Sequence, residues 1–412
     1  MNAVNAVPAI ERIELHRIEV PLVRPFETSF GRETVREVLL VRVLTDAGEG
    51  WGECVAGRDP FYSGEYVDGA ASVIERYLGP ALIAGHGRHV DEHRKATDAA
   101  GGAVAEGPGS RGASVPLAAS VAPSLAFVAG HRMAKGALEA AVLDAELRAQ
   151  GRSMGTFFGA EREWVDCGVS VGIAPTLEEL MDEVMGYVEE GYRRIKLKIK
   201  PGWDVDVVAE ARRRHPEILL SVDANSAYTL NDLERLKALD AFNLLMIEQP
   251  LDHDDLLDHA TLQAELKTPI CLDESITSLR RAEQALRLGS CRLINIKVGR
   301  VGGYSQALAI HDLCHARGVP VWCGGMLESG VGRAHNLALA SLPGFTLPGD
   351  ISASSRYFER DVIVPEVRVA ADGTAEVPPG PGLGFAVDLD YIESCTEAVE
   401  RIELENWAEA QA

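Results

Sequence analysis

The sequence predicts an α/β protein: a (β/α)8-type barrel with an α+β capping domain built from the N-terminal region and the C-terminal segment. Five charged residues recur at intervals of 25, 25, 25 and 24 residues, namely Lys198, Asp223, Glu248, Asp273 and Lys297. Each lies in or just after a short apolar run, and segments with helical patterning separate these runs. One strand, one helix and two loops take about 25 residues. The spacing therefore places charged groups near the C-terminal ends of five successive parallel strands, the face on which barrel active sites are built.

The composition indicates which partners to expect. The 412-residue chain carries 40 Lys and Arg against 62 Asp and Glu, a formal net charge of −22. A surface this acidic repels nucleic acid and anionic membranes, and no basic stripe interrupts it. We therefore expect a small-molecule substrate and neither nucleic acid nor membrane as a partner. The 7 cysteines form no CxxC pair, which predicts free thiols in a reducing cytoplasm. Symmetric homo-oligomers are common among soluble proteins, so we expect one here.

The N-terminal region has the patterns of a small antiparallel sheet followed by a helix. Residues 10–20 alternate apolar and polar, and two further strand-like runs follow across short turns. A helical segment then ends near Gly79 and Pro80. Residues 98–130 are rich in Ala, Gly, Ser and Pro with few charges, which predicts an insertion or loop. An Ala-rich helical hairpin over the active site is the alternative. We assign residues 1–130, including this insertion, to the capping domain.

Residues 131–351 are predicted to form the catalytic barrel. A helix starting near His131 precedes the first strand, and the helix after that strand begins at a capping Thr176. The eighth strand is weakly marked, in the run FTLPGDI. Eight strand–helix units up to residue 351 are enough to close the barrel. We therefore expect residues 352–412 to pair with the N-terminal strands and complete the cap.

Three carboxylates, Asp223, Glu248 and Asp273, would lie on neighbouring strands with their oxygens converging at the barrel mouth. Hard oxygen donors, with water completing the shell, suit Mg²⁺ or Mn²⁺. Without a cation the clustered carboxylates would repel one another, and at least one would take up a proton. A single acidic residue at a strand end is often a solvated cap, but three in register on consecutive strands favour a metal site.

Lysines flank these carboxylates on both sides. In the run RRIKLKIK the side chains alternate, so Lys196 and Lys198 share one face, while Lys297 lies on the opposite strand of an eight-stranded ring. Near a divalent cation and near each other, we expect these amines to have lowered pKa values, and a neutral lysine is a competent general base. The pattern predicts removal of a proton α to a carboxylate through a stabilised enediolate. Reprotonation from the other face racemises the centre, and loss of a β group gives elimination.

The motifs KLK, DAN, EQP, DES and NIKVGRVGG, in this order, resemble the enolase superfamily, in the branch with a lysine on both the second and the sixth strand. The runs PLVRPFETSFG, DPFYSGE, ALEAAVLDAELRAQG, GGMLESGVGRAHN and PGDISAS are similar to the o-succinylbenzoate synthase / N-succinylamino acid (N-acylamino acid) racemase family. The resemblance covers nearly the whole chain. It implies a metal-dependent racemase of N-succinylamino acids, a synthase that forms o-succinylbenzoate by dehydration in menaquinone biosynthesis, or both.

Carried over position by position, the resemblance assigns roles to the charged residues. Lys198 and Lys297 would be the acid/base pair, and Lys196 would bind the substrate carboxylate or stabilise the enediolate. The metal ligands would be Asp223, Glu248 and Asp273. Residues of the cap loops and strand ends would shape the substrate pocket or support its ligands: Phe26, Ser29, Tyr62, Asn225, Gly325, Met326 and Glu328. Arg300 resembles a feature of members that racemise N-succinylamino acids and would tune Lys297 electrostatically.

Several alternatives stay open. Both lysines occur whichever activity the family member has, so they do not separate racemisation from dehydration. A dipeptide epimerase is less favoured because no Asp-x-Asp follows the eighth strand to hold an amine, and a muconate cycloisomerase-like activity is more distant. A non-catalytic barrel would have lost a ligand or a base, and all five positions are filled. The segment 98–130 is longer than the family pattern and would affect assembly or access to the site.

Overall fold

The computed structural model describes residues 9–27, 31–85 and 117–403. An antiparallel sheet forms the cap and joins both ends of the described chain. Its strands are β1 (Ile10–Glu27), β2 (Arg32–Thr45), β3 (Gly48–Cys54) and the C-terminal strand Thr396–Ile402. The strand β1 lies between β2 and the C-terminal strand and pairs antiparallel with both. The predicted antiparallel meander is confirmed, and so is the α/β class of the protein.

The cap sheet has two apolar faces, because β2 carries a continuous run of apolar residues. In β2, Leu39 and Val41 enter a core shared with the cap helices, while Val38 and Leu40 enter the core that continues into the barrel. Successive side chains of a strand point to opposite faces, so one strand can supply both cores. The cap is therefore packed directly onto the barrel.

Helices cover one face of the cap sheet. They are α1 (Val67–Val73), a π-helical turn (Ile74–Leu78), α2 (Gly79–Gly85) and α3 (Leu117–Ser124). The predicted helix end near Gly79 and Pro80 is wrong, because the helix continues through both. Pro80 lies just after the π-helical turn, and its missing N–H removes one backbone hydrogen bond from the continuing helix. Of the predicted insertion, residues 98–116 lie outside the described residues.

Parallel strands form the barrel sheet, and they follow one another in space as in the chain. Within the described residues these are β5 (Gly168–Val171), β6 (Arg194–Lys198), β7 (Leu219–Asp223), β8 (Ile247–Glu248), β9 (Ile270–Leu272), β10 (Leu293–Ile296) and β11 (Val321–Cys323). Short pairs outside the sheet join β4 (Trp164–Asp166) to β13 (Thr374–Glu376) and β12 (Ile363–Val364) to β14 (Ala386–Val387). The order confirms the barrel predicted from the 25-residue spacing.

Helices alternate with the barrel strands. They are α4 (Arg132–Ala149), α5 (Met154–Phe158), α6 (Leu177–Glu189), α7 (Val205–Arg214), α8 (Leu233–Ala238), α9 (Leu256–Glu265), α10 (Leu279–Leu288), α11 (Val298–Val301), α12 (Tyr304–Ala316), α13 (Gly330–Ala340) and α14 (Leu389–Cys395). Turns of 3₁₀ helix cover Leu230–Asp232, Leu239–Phe242 and Ser354–Arg356. The predicted cap of α6 is confirmed, since the Thr176 side chain accepts a hydrogen bond from the backbone N–H of Glu179.

An irregular segment closes the ring where the eighth strand was weakly predicted. Phe345 bridges in parallel to Val321 of β11, and Gly349 bridges to Cys167 beside β5. The backbone N–H of Gly168 donates to the Gly349 carbonyl at 2.6 Å. Pro348 has no N–H to give to a ladder, which explains why no regular strand forms here. The segment nevertheless delivers Asp350 to the same end of the barrel as the other strand ends.

Buried acidic side chains tie the cap to the barrel. Glu53 of β3 accepts hydrogen bonds from the Ser329 and Gly332 backbone N–H groups, each at 3.0 Å, at the start of α13. Burial raises the pKa of Glu53 to about 7. Asp144 of α4 accepts from the Trp51 backbone N–H at 2.8 Å. A carboxylate near a helix N-terminus is favoured by the helix dipole, and these contacts fix the cap over the barrel mouth.

The contact between β3 and α4 predicts an unusually sensitive glycine. A Cβ atom on Gly52 would lie 2.1 Å from the Ala137 carbonyl oxygen, a backbone atom of α4. We expect Gly52→Ala to lower the free energy of unfolding by about 2 kcal/mol or more, because the helix or the strand must shift. Urea unfolding followed by circular dichroism measures this. Gly186→Ala is the control, since its Cβ meets nothing within 4 Å and helical alanine is favoured by about 1 kcal/mol. Equal stability of the two variants would contradict the tight packing.

The described residues contain neither a membrane-spanning helix nor a disulfide bond. None of the described helices combines the length and hydropathy needed to cross a membrane. All seven cysteines are free in the described chain, and each is buried except the half-buried Cys395. No disulfide therefore staples the described fold, which relies on its cores.

Candidate active site

The three predicted carboxylates end neighbouring barrel strands. Asp223 is the last residue of β7, Glu248 the last of β8, and Asp273 directly follows β9. Asp223 and Glu248 are partners in the parallel ladder. The three residues are 1%, 0% and 0% exposed. Because parallel strands end on one side of the sheet, their side chains meet at the barrel mouth.

Lys198 and Lys297 approach this group from opposite walls. Lys198 ends β6 and Lys297 follows β10, and three strands of the sheet lie between β6 and β10. The Lys198 ammonium donates to Asp223 Oδ2 at 2.7 Å and to Asn225 Oδ1 at 2.6 Å. The Lys297 ammonium lies 2.9 Å from Asp273 Oδ2. Two ammonium groups therefore face each other across the space beside the carboxylates.

Lys196 lies beneath these groups and is 2% exposed. Its Nζ is 2.8 Å from Glu248 Oε2 and 3.2 Å from Asp223 Oδ2. A third carboxylate, Asp350, lies 2.6 Å away through its Oδ2. The predicted third lysine is thus brought into the site, with a partner that the sequence analysis missed.

The residues around Lys196 were also missed. Arg194, two residues earlier on β6 and 0% exposed, is bonded to the Asp350 carboxylate. The ring of Trp322 lies under both cations, with its centroid 4.7 Å from the Arg194 guanidinium carbon and 4.8 Å from the Lys196 ammonium. Alternation on β6 placed Arg194 on the lysine face, and that signal could have identified it.

The donor set fits a divalent cation. Neither oxygen of Asp273 makes a hydrogen bond of normal geometry, although Lys297 and Arg300 lie within 2.9 and 3.2 Å. Burial, together with the charge of Asp223, raises the pKa of Glu248 to about 8. A divalent cation would relieve the repulsion that disfavours an ionised Glu248, and hard oxygen donors of this kind suit Mg²⁺ or Mn²⁺.

The predicted convergence of the three barrel carboxylates on one point is looser than expected, because their oxygens do not all lie within 4.8 Å of one another. Among the described residues, the trio of potential ligands whose atoms lie within 4.8 Å of one another is instead Asp252, His253 and Asp254, on the surface. These three are exposed and precede α9, as expected for a solvated helix start. Acidic clusters on a surface are common without a metal, so we place no function there.

The pKa values of Lys297 and Lys196 are governed by the carboxylates around them. Burial would lower the pKa of Lys297, but the charge of Asp273 outweighs it and the pKa is raised. Burial opposes the charges of Asp350, Glu248 and Asp223 at Lys196, whose pKa lies well above its usual value. The attraction of the surrounding carboxylates raises both pKa values, and the lowered pKa values expected close to a divalent cation stay a prediction.

A cavity of about 420 Å³ opens above the lysines, between cap and barrel. Its lining includes many of the residues predicted for the pocket: Phe26, Tyr62, Lys196, Lys198, Asn225, Lys297, Gly325, Met326 and Glu328. Ser29 lies outside the described residues. The lining also includes Arg36 and Tyr357, which the sequence analysis missed. Arg36 donates to the carbonyls of Val55 at 3.2 Å and Met326 at 3.3 Å, so it ties the cap to the loop after β11.

Tyr62 of the cap contacts Lys297, the proposed base after β10. The Tyr62 hydroxyl accepts a hydrogen bond from Lys297 at 3.2 Å and another from the Arg300 guanidinium. Arg300 Nε lies 3.2 Å from Asp273 Oδ1. Tyr62, Arg300, Asp273 and Lys297 therefore form one polar group, half-buried at Tyr62, that spans the cap and the barrel. Arg300 occupies the place beside Lys297 that the sequence analysis expected.

Comparison with known proteins agrees with this arrangement. Residues 179–391 match the family model described as enolase C-terminal domain-like. The chain is 53% identical over 387 residues to an N-succinylamino acid racemase of Amycolatopsis, covering 94% of this chain and 97% of that protein. It is 48% identical to an o-succinylbenzoate synthase of Geobacillus kaustophilus, covering 94% and 96%. A crystal structure of an enolase superfamily member from Listeria innocua superposes with a TM-score of 0.85 at 38% identity, covering 96% of this chain and 100% of that one.

Proposed function

Because the chain belongs to the enolase superfamily, in its enolase C-terminal domain-like family, we propose that it is a divalent-metal-dependent enzyme that removes the proton α to a carboxylate. We propose N-succinylamino acids as its substrates and racemisation as its reaction. Formation of o-succinylbenzoate by dehydration is the second candidate, favoured by the 48% identical synthase. Metabolism of such acids and the free thiols of the chain suit a cytoplasmic enzyme.

The observation that carries the proposal is the opposition of Lys198 and Lys297 across one cavity. A planar enediolate between two ammonium groups can be protonated from either face, which is what inversion of a stereocentre requires. Lys198 is oriented by Asp223 and Asn225, and Lys297 by Asp273 and Tyr62. Each base is therefore held in place by partners on its own wall.

The three carboxylates and Lys196 would stabilise the negative charge of the enediolate, with the carboxylates acting through a bound metal. Asp223, Glu248 and Asp273 are the residues that would hold Mg²⁺ or Mn²⁺, and the bound ion would supply positive charge that stabilises an enediolate. Lys196 adds a fixed positive charge near the same place and would bind the substrate carboxylate. The cap closes over this chemistry with Phe26 and Tyr62, which exclude water from the reacting carbon.

The test is proton exchange in D₂O. The protein is incubated with Mg²⁺ and N-succinyl-L-phenylalanine, chosen because aromatic side chains line the cavity, and the α-proton is followed by NMR. We expect metal-dependent loss of the α-proton signal together with loss of optical rotation. No exchange with several N-succinylamino acids would contradict the racemase. A dehydration assay with the cyclohexadiene precursor of o-succinylbenzoate then tests the second candidate.

Arg300 should affect the two directions of racemisation unequally. It contacts Tyr62 and Asp273, the two partners of Lys297, and it lies on the Lys297 side of the site. We expect Arg300→Gln to slow exchange from one enantiomer about tenfold or more, with a smaller effect on the other, because only one base loses its neighbours. Exchange rates from the L and D substrates in D₂O measure this. The control is Arg213→Gln, which removes an exposed arginine far along the α7 surface. Equal slowing of both enantiomers would show that Arg300 acts on the whole site.

A further inference from the structure

Lys196 contacts two of the carboxylates that would hold the proposed metal. The Lys196 ammonium lies 2.8 Å from Glu248 Oε2 and 3.2 Å from Asp223 Oδ2. Both residues are proposed metal ligands. An ammonium and a divalent cation repel each other strongly in a buried site, so they cannot share these oxygens at contact distance. With an ion held by Asp223 and Glu248, Lys196 would move away from these oxygens and would need a partner elsewhere.

Asp350 is placed to be that partner. Its Oδ2 lies 2.6 Å from the Lys196 ammonium, the shortest of the three ion pairs of this lysine. Its backbone N–H donates to the Cys323 carbonyl at 2.9 Å, which fixes the residue at the closing edge of the barrel. Arg194 holds the other carboxylate oxygen, and the Trp322 ring supports both cations from one side. Asp350 therefore draws Lys196 toward the irregular segment that closes the ring and away from β7 and β8.

We infer that Asp350 is a positioning residue that withdraws Lys196 from the metal-ligating carboxylates and thereby sets the affinity of the site for a divalent cation. This inference rests on the proposed metal site. It assigns Asp350 a task that differs from ligation, since the residue acts on the ion through a lysine. It also explains why an arginine and a tryptophan are buried beneath a site whose chemistry needs neither.

A double-mutant cycle measured by Mn²⁺ binding tests it. Calorimetry gives the dissociation constant for the unmodified chain, Asp350→Asn, Lys196→Met and the double variant. We expect Asp350→Asn to weaken binding about tenfold in the unmodified chain and no more than about threefold in the Lys196→Met background. Without Asp350, Lys196 keeps its contacts with Asp223 and Glu248 and weakens metal binding. Without Lys196, these carboxylates are free of the ammonium whether or not Asp350 is present. Lys196→Met alone should tighten binding.

Each result has a defined meaning. A simple loss of negative charge would weaken binding by the same factor in both backgrounds, and that outcome overturns the inference. If the unmodified chain does not bind Mn²⁺ at all, the proposed metal site fails and the inference fails with it. Asp350→Asn leaves Arg194 buried without a carboxylate, so circular dichroism must first show that it folds. If it does not fold, Lys196→Met decides, because binding no tighter than that of the unmodified chain excludes competition by the lysine.

Discussion

Lys297→Ala will exchange the α-proton of one enantiomer of an N-succinylamino acid and leave the other enantiomer untouched. The remaining base, Lys198, lies on the opposite wall beside Asp223, so it reaches a proton on one face only. It can remove that proton and return deuterium to the same face. We therefore expect isotope exchange without inversion, and a racemisation rate lowered by a factor of about 10³ or more.

Lys198→Ala should give the mirror result. Here Lys297 remains, with Tyr62 and Asp273 as its partners, and exchange should persist for the other enantiomer. NMR in D₂O with the separate L and D substrates reads both variants, and optical rotation reports inversion. Lys200→Ala is the matched control because Lys200 is an exposed lysine just beyond β6. Residual racemisation in either variant, or equal loss of exchange for both enantiomers, would contradict a mechanism with one base on each face.

The positions of the main charged groups were predictable from the sequence for a geometric reason. One strand, one helix and two loops take a nearly constant length, so Asp223, Glu248 and Asp273 had to fall at successive strand ends once the spacing was recognised. Alternation along β6 then placed Lys196 and Lys198 on one face. These arguments use only the two-residue alternation of a strand and the length of the repeat, and both can be read from the sequence without a tertiary structure.

Other features depend on contacts that a local pattern does not contain. Asp350 follows a proline and a glycine in a segment that forms no regular strand, so nothing in its surroundings marked it as facing Lys196. Arg36 reaches Met326 across 290 residues of sequence. The raised pKa of Lys297 follows from the distance to Asp273, and a sum of charges along the chain does not supply that distance. Ser29 remains a prediction, because it lies outside the described residues.

Glu248→Gln will abolish the metal response of the protein while preserving its fold. Glu248 is one of three proposed ligands and is fully buried, with Oε1 accepting a hydrogen bond from Asn295 at 2.7 Å. An amide keeps this shape and loses the charge that attracts the ion. We expect activity to fall by a factor on the order of 10³ or more, because a bound metal supplies several kcal/mol of stabilisation to developing negative charge. The thermal shift produced by Mg²⁺ should disappear as well.

The metal-free variant should be at least as stable as the metal-free parent. Burial and the charge of Asp223 disfavour an ionised Glu248, so the neutral amide removes repulsion, while Lys196 keeps Asp223 and Asp350 as partners. Thermal unfolding with and without Mg²⁺ separates the two effects. Asp252→Asn serves as the control, since it alters the exposed acidic cluster and leaves the barrel intact. A Glu248→Gln protein that still gains stability from Mg²⁺, or an Asp252→Asn protein that does not, would move the metal site from the barrel mouth to the surface.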